Sequence, residues 1–349
     1  MSVASLSGSF EREGRLSSVV PDIVDQPVRR RTEVFRRLIV NRQAIALPAM
    51  FVVASVVFTL GSPNFGTLNN LTNVARQSVY LLIISLGQLI VIVGGGLDLS
   101  VGSVVSLTSV ASAMMSVVFA ACPDTPLLAL AAGLGTGVLI GALVGTINGV
   151  GVSVFRIAPF MMTLGISSVL FGTTLLVSGG VPVYGMPPLL GEIFGFGRLA
   201  GFPVPAIVAL LLVAVTYIVL EWTRFGRYLY ATGGNARAAE LSGVRTHRVC
   251  IAAFMLSGVL AAISGLLLTA RLGTGGANVG ASMPLDSIAA CVISGVSLSG
   301  GQGRTLTVVL GTLLIIIVQN GLNLMQVGAY AQSIATGGIL ILAMALARR

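Results

Sequence analysis

The chain has 349 residues, 55% hydrophobic and only 9% charged, with a mean hydropathy of +0.98 and a formal net charge of +9. An ordinary soluble domain is about 25% charged, so this composition excludes a soluble fold, and a disordered chain with it. What remains is an all-α membrane protein.

All twenty basic residues are arginine, which removes Schiff-base chemistry and the lysine of a Walker A phosphate loop. The single histidine, His247, lies between Thr246 and Arg248, and Cys122, Cys250 and Cys291 are far apart. No disulfide framework, metal centre or catalytic triad is expected from these residues, and no cofactor. The chain does not read as an enzyme.

Residues 1–42 are polar, with eight arginines and five acidic residues, and no apolar core near the start to make a signal peptide. They read as a cytoplasmic tail, with a membrane domain over 43–349. A bilayer-spanning helix needs about 20 apolar residues. Runs at 44–61, 71–93, 101–121, 127–149, 159–178, 204–222, 249–270, 285–299, 305–325 and 329–346 predict about ten spans, the eighth short and interrupted. With the N-terminus in the cytoplasm, the inner segments carry seventeen arginines. The outer loops carry two, Arg198 and Arg271, and Arg76 falls inside the second span. That bias follows the positive-inside rule and puts both termini in the cytoplasm. The arginines are thus placed by topology and lipid, not by nucleic acid. Gly133, Gly137, Gly141 and Gly145 recur every four residues on the fourth span, a spacing that lets helix backbones approach closely.

Ionisable groups at membrane depth are few. Asp98 lies between the second and third spans in Gly94-Gly-Gly-Leu-Asp-Leu-Ser-Val-Gly102, with Ser100 two residues on. It reads either as a helix cap or as a group of the translocation pathway. Gln88, Asn148, Gln319, Asn320 and Asn323 lie within apolar runs; as a set they suit a hydroxyl-rich ligand, and singly they suit interhelical hydrogen bonds. A weak repeat relates Gly96–Gly102 to Gly295–Gly301, each followed by a helix with an Asn-Gly pair, Asn148-Gly149 and Asn320-Gly321. Leu298-Ser-Gly-Gly-Gln302 matches the signature of ABC-type ATPase domains, but between two spans and without lysine it reads as a Gly-rich inner loop. The absence of a mid-helix proton relay favours an external energy source over a secondary sugar transporter or facilitator, which remains the alternative. A membrane-embedded enzyme ranks last.

The longest polar stretch after the tail is 223–249. Asn235 to Ser242 forms two helical turns, capped by Asn235 and ended by Gly243. It reads as a docking element or as an ordinary basic inner loop.

At these residues the chain resembles a known family. Gly233-Gly-Asn-Ala-Arg-Ala-Ala-Glu-Leu-Ser-Gly-Val244 resembles the coupling loop of ribose-type ABC importer permeases. Gly95–Ser103, Ala158–Gly165 and the Gly-rich 294–303 region are similar to further hallmarks of that family. The resemblance implies a ten-helix fold like that of the vitamin B12 importer class. It implies a bacterial inner-membrane subunit that imports a monosaccharide delivered by a periplasmic sugar-binding protein. It implies a second permease subunit, forming a homodimer, and separate ATPase subunits docked on the coupling loops. Gly234, Asn235, Arg237, Ala238, Ala239, Glu240, Ser242 and Gly243 are then expected to couple to the ATPase. Asp98, Ser100, Asn148, Asn320 and Asn323 are expected to line or frame the pathway.

Overall fold

The computed structural model describes residues 47–120 and 126–328, with five further positions between 331 and 338. The tail, most of the tenth expected span at 329–346, and Cys122 lie outside the described residues. The described chain is helical apart from one two-stranded ribbon, β1 (Arg198–Leu199) with β2 (Phe202–Pro203).

In chain order the first helices are α1 (Leu47–Gly61), α2 (Leu68–Val93), α3 (Val101–Ala120), α4 (Pro126–Ser153) and α5 (Pro159–Ser178). A short turn, α6 (Pro188–Leu190), precedes the ribbon. There follow α7 (Val204–Trp222), α8 (Arg224–Gly234), α9 (Ala236–Leu241), α10 (Thr246–Leu272), α11 (Met283–Ile293) and α12 (Thr305–Leu324). Seven helices among the described residues, α2–α5, α7, α10 and α12, are long and apolar enough to cross a bilayer. The chain is therefore a multi-pass membrane protein.

Local chemistry sets the boundaries. Thr67 caps α2 by accepting from the Asn70 amide. Prolines open α5 and α7, where their missing N–H is no loss. Glycines in the left-handed region, Gly179 (φ 62°) and Gly273 (φ 67°), end α5 and α10. Trp222 stands exposed at the end of α7, where an amphipathic ring suits the bilayer surface.

The eighth expected span is corrected. The apolar run at 285–299 yields α11, which stops at Ile293. Eleven residues rise about 16 Å, half of what a bilayer needs. Gly295 (φ 80°), Gly300 (φ 87°) and Gly301 (φ 72°) hold the following loop in a conformation that no helix shares. The signature-like Leu298–Gln302 lies in this loop, and α12 begins only at Thr305.

The repeat survives in altered register. Gly95 (φ 87°) ends α2 as Gly295 ends α11. Gly95 N donates to Ile92 O and Gly96 N to Val91 O, both at 2.9 Å; Gly295 N donates to Val292 O at 2.9 Å and Val296 N to Cys291 O at 3.0 Å. Gly95, not Gly96, thus stands opposite Gly295. The Asn-Gly pairs do not correspond: Asn320 is on the helix directly after its loop, whereas Asn148 is one helix further on.

The core is built on α2, almost wholly buried, and on α10, which packs on both α4 and α2. The glycine stripe does what its spacing predicts. A Cβ on Gly141 would strike Gly258 O and stand 2.6 Å from Ala262 Cβ, and one on Gly145 would stand 2.7 Å from Met255 Cα. These glycines, with Gly258 facing them, let α4 and α10 touch backbone to backbone. Gly133 faces α3 instead, where its Cβ would meet Ser112 O at 3.1 Å.

Candidate functional site

At one end of the bundle, α8 and α9 form a pair of short helices outside the spans. Thr223 caps α8 through its hydroxyl, which accepts from Gly226 N at 3.3 Å. Asn235 closes α8 and opens α9, its Oδ1 accepting from Ala238 N at 3.0 Å. Gly243 (φ 82°) ends α9, with Val244 N donating to Ala239 O at 3.0 Å. The cap and the stop predicted from sequence are both present; α8 was not foreseen.

The faces of α9 are distinct. Gly234, Asn235, Arg237, Ala238, Glu240, Ser242 and Gly243 are exposed. Arg237 Nη1 lies 3.8 Å from Glu240 Oε2, and Thr246 donates its hydroxyl to Glu240 Oε1 at 2.8 Å. Ser242 Oγ donates to Ala238 O at 2.9 Å. Ala239, expected to give a partner close contact, is instead turned into the chain, with 5% of its surface exposed. A six-residue helix lying on α8 must point one position per turn inward, and the small apolar residue fills it. The residue that sequence reasoning overlooked is Leu241, 79% exposed at the end of α9, an apolar side chain beside an ion pair.

Tyr230 fastens α8. Its hydroxyl donates to Gly303 O at 2.8 Å. Burial, with Glu221 acting in the same direction and Arg304 against it, pushes the phenol up to about 12. It is a proton donor throughout the physiological range.

The expected pathway residues fall into separate groups. Asp98, Ser100 and Asn148 come together, each at most 1% exposed. Asp98 Oδ1 accepts from Ser100 N at 3.0 Å and from Ser100 Oγ at 2.6 Å; Asp98 Oδ2 accepts from Ser257 Oγ at 3.0 Å; Asn148 Nδ2 donates to Ser100 Oγ at 2.8 Å. Thr163 adds α5 to the group, accepting from Leu99 N at 3.1 Å and donating to Leu97 O at 3.2 Å. The loop after α2 is thus braced from inside, to α10 by Asp98, to α4 through Ser100 and to α5 by Thr163. Asn320 is elsewhere, in a reciprocal amide pair with Asn70 at 2.9 and 3.0 Å. Asn323 is exposed. Gln88 is fully buried, and neither of its amide atoms has a partner among the described residues.

One face of α5 was not singled out from sequence. Thr163, Leu170, Thr174 and Ser178 face inward. On the opposite side, Gly165 and Gly172 have nothing within 4 Å of a Cβ position, and Met161, Ser168 and Leu176 are exposed; Thr173 is exposed on the flank. The exposed surface of α5 is broad, uncharged and mostly apolar, with Leu164, Val169, Phe171 and Val177 around Ser168 and Thr173, whose hydroxyls donate to Leu164 O and Val169 O.

Among the described residues no group of three or more His, Cys, Asp or Glu side chains is placed to hold a metal ion.

Known proteins resemble this chain over most of its length. Residues 70–344 match the family described as branched-chain amino acid transport system / permease component. The ribose import permease protein of Escherichia coli K12 is 37% identical over 303 residues, 86% of this chain and 91% of that protein. That of Bacillus subtilis 168 is 38% identical over 301 residues, 86% of this chain and 91% of its own length. The D-allose transport system permease protein of E. coli K12 is 36% identical over 301 residues, 85% and 90% of the two chains. No solved structure matches. A match this long and this similar, on a helical membrane chain with a capped α8–α9 end, settles membership: the chain belongs to the ABC importer permease family that includes the ribose and allose permeases, and it is a permease subunit whose ATPase is a separate protein.

Proposed function

We propose that this permease carries a monosaccharide of the ribose, allose or galactose type into the bacterial cell. The identity to ribose import permeases over most of the chain carries the reading. Affinity resides chiefly in a periplasmic sugar-binding protein that docks on the side opposite α8 and α9.

Two copies form a homodimer. Their α5 helices meet across the pathway, with the hydroxyl oxygens of Ser168 and Thr173 offered as acceptors. Asp98, Ser100 and Asn148 frame that pathway from behind α5; Asn320 and Asn323 act through the packing of α12. The full chain has about ten membrane helices, with the short α11 in the place of the eighth, in the manner of the vitamin B12 importer class, with a tail at 1–42, a membrane domain at 43–349 and both termini in the cytoplasm. The ATPase docks on α9 through Leu241, Arg237, Ala238 and Glu240. Gly234, Asn235, Ser242 and Gly243 hold that helix in shape, and Ala239 seats it.

The test is uptake. The chain is purified with its ATPase, reconstituted with its binding protein in liposomes, and supplied with radiolabelled D-ribose, D-allose and D-galactose. ATP-dependent accumulation of one of them is the expected result. Uptake of a sugar without ATP would make the chain a facilitator, and uptake of leucine but no sugar would overturn the substrate class.

A further inference from the structure

Two glycine-rich helix ends and the end of α8 meet at one point. A Cβ on Gly233 would collide with Val93 O at the end of α2 and stand 2.7 Å from Gly301 N. Gly301 N donates to the same Val93 O at 2.8 Å. A Cβ on Gly300 would stand 2.7 Å from Gly233 O and 2.9 Å from Gly95 Cα, and one on Gly301 2.7 Å from Gly234 Cα. Four glycines, Gly95, Gly233, Gly300 and Gly301, thus bring three elements into backbone contact. Beside them Tyr230 holds Gly303 O, and Leu229 is fully buried, its Cδ1 3.0 Å from the Cβ position of Gly94.

Such contacts have no side chain between them that could change rotamer and absorb a displacement, and packed interiors transmit strain. A shift of α8 therefore moves the end of α2 and the α11–α12 loop together. Only Asn235 separates α8 from α9. A water-sized cavity of about 40 Å³, lined in part by Leu229, Thr232, Val249 and Phe254, adjoins α8.

We propose that Gly95, Gly233, Gly300 and Gly301, fastened by Tyr230, are the joint that passes movement of α9 to the α2 end and to the α11–α12 loop. These are positioning residues: they touch neither nucleotide nor sugar. The inference rests on the reading that α9 docks the ATPase.

The experiment uses the permease co-purified with its ATPase in lipid nanodiscs. Cys122, Cys250 and Cys291 are replaced by serine, and Ser299→Cys, at an exposed position of the α11–α12 loop, serves as reporter. Its alkylation rate is measured with and without ATP and vanadate. The parent responds to nucleotide by a several-fold change in rate. Tyr230→Phe weakens that response and Gly233→Ala abolishes it, while retention of the ATPase and its hydrolysis rate stay at the parent level, which a merely structural lesion would not allow. Tyr230→Phe removes one hydrogen bond and no packing volume, so it decides the matter alone if Gly233→Ala does not fold. A full response in Tyr230→Phe, or a parent loop that ignores nucleotide, overturns the joint. Failure of the docking reading shows separately, as ATPase retained by Leu241→Asp; the joint then has no input and falls with it.

Discussion

Ser257 on α10 donates its hydroxyl to Asp98 Oδ2 at 3.0 Å, although 159 residues separate them in the chain. The carboxylate also accepts from Ser100, which in turn accepts from Asn148. Removing it leaves Ser257 and the Ser100 amide as buried donors without an acceptor. Asp98→Ala is expected to destabilise the protein by about 3 kcal/mol, and Asp98→Asn, which keeps an acceptor oxygen, by about 1 kcal/mol. Thermal unfolding in detergent, followed by loss of monodisperse protein, measures both. Equal melting of Asp98→Ala and the parent would show that the network braces nothing.

Gly141 and Gly258 occupy the closest approach of α4 and α10, each with its Cβ position against the other's carbonyl group. Backbone atoms cannot rotate out of the way. Gly141→Leu is expected to cost at least about 3 kcal/mol and to reduce folded yield in fluorescence-detected size exclusion. Gly135 lies on the same helix with nothing within 4 Å of its Cβ position. Gly135→Ala should keep the yield and leave melting equal to or slightly above the parent's.

Asn70 and Asn320 exchange two hydrogen bonds through their amides. Asn70→Ala strands the Asn320 amide in an apolar setting, at about 1–2 kcal/mol, whereas Asn320→Ala leaves Asn70 Nδ2 donating to Phe65 O at 2.9 Å and costs about 1 kcal/mol. Once one is gone, losing the second removes little more. The double variant should fall short of additivity by about 1 kcal/mol. Strict additivity in a double-mutant cycle would mean the pair is geometry without coupling.

The spans were legible in the sequence wherever a long apolar run met a hard stop. The run at 159–178 is α5 to the residue, because Pro159 opens it and Gly179 closes it; 204–222 is α7 for the same reason at its start. The eighth span was overread because Val296 and Leu298 raise the hydropathy of a segment whose Gly295 and Gly300 have already left the helix. Asp98 stood between cap and pathway because its decisive partner, Ser257, is remote in sequence and ordinary in type. The caps of α9 were readable, since Asn235 and Gly243 act on their immediate neighbours. Its faces were not: which of two adjacent alanines points inward depends on how the helix lies on α8.

That last point yields the sharpest test of the coupling end. Ala239 and Leu241 are two residues apart on α9, so they face different directions: Ala239 is buried and Leu241 is 79% exposed. Ala239→Trp overfills a site inside the chain. It should lower the melting temperature, by an amount corresponding to about 1–3 kcal/mol, before it affects any partner. Leu241→Asp changes only a surface position. It should leave melting unchanged, yet bury a charge without a partner wherever an apolar contact forms. Affinity chromatography through a tag on the permease, with the ATPase quantified in the eluate, separates the two. The expected pattern is an unstable but ATPase-bound Ala239→Trp and a stable but ATPase-free Leu241→Asp. The reverse pattern would move the docking contact off the outer face of α9.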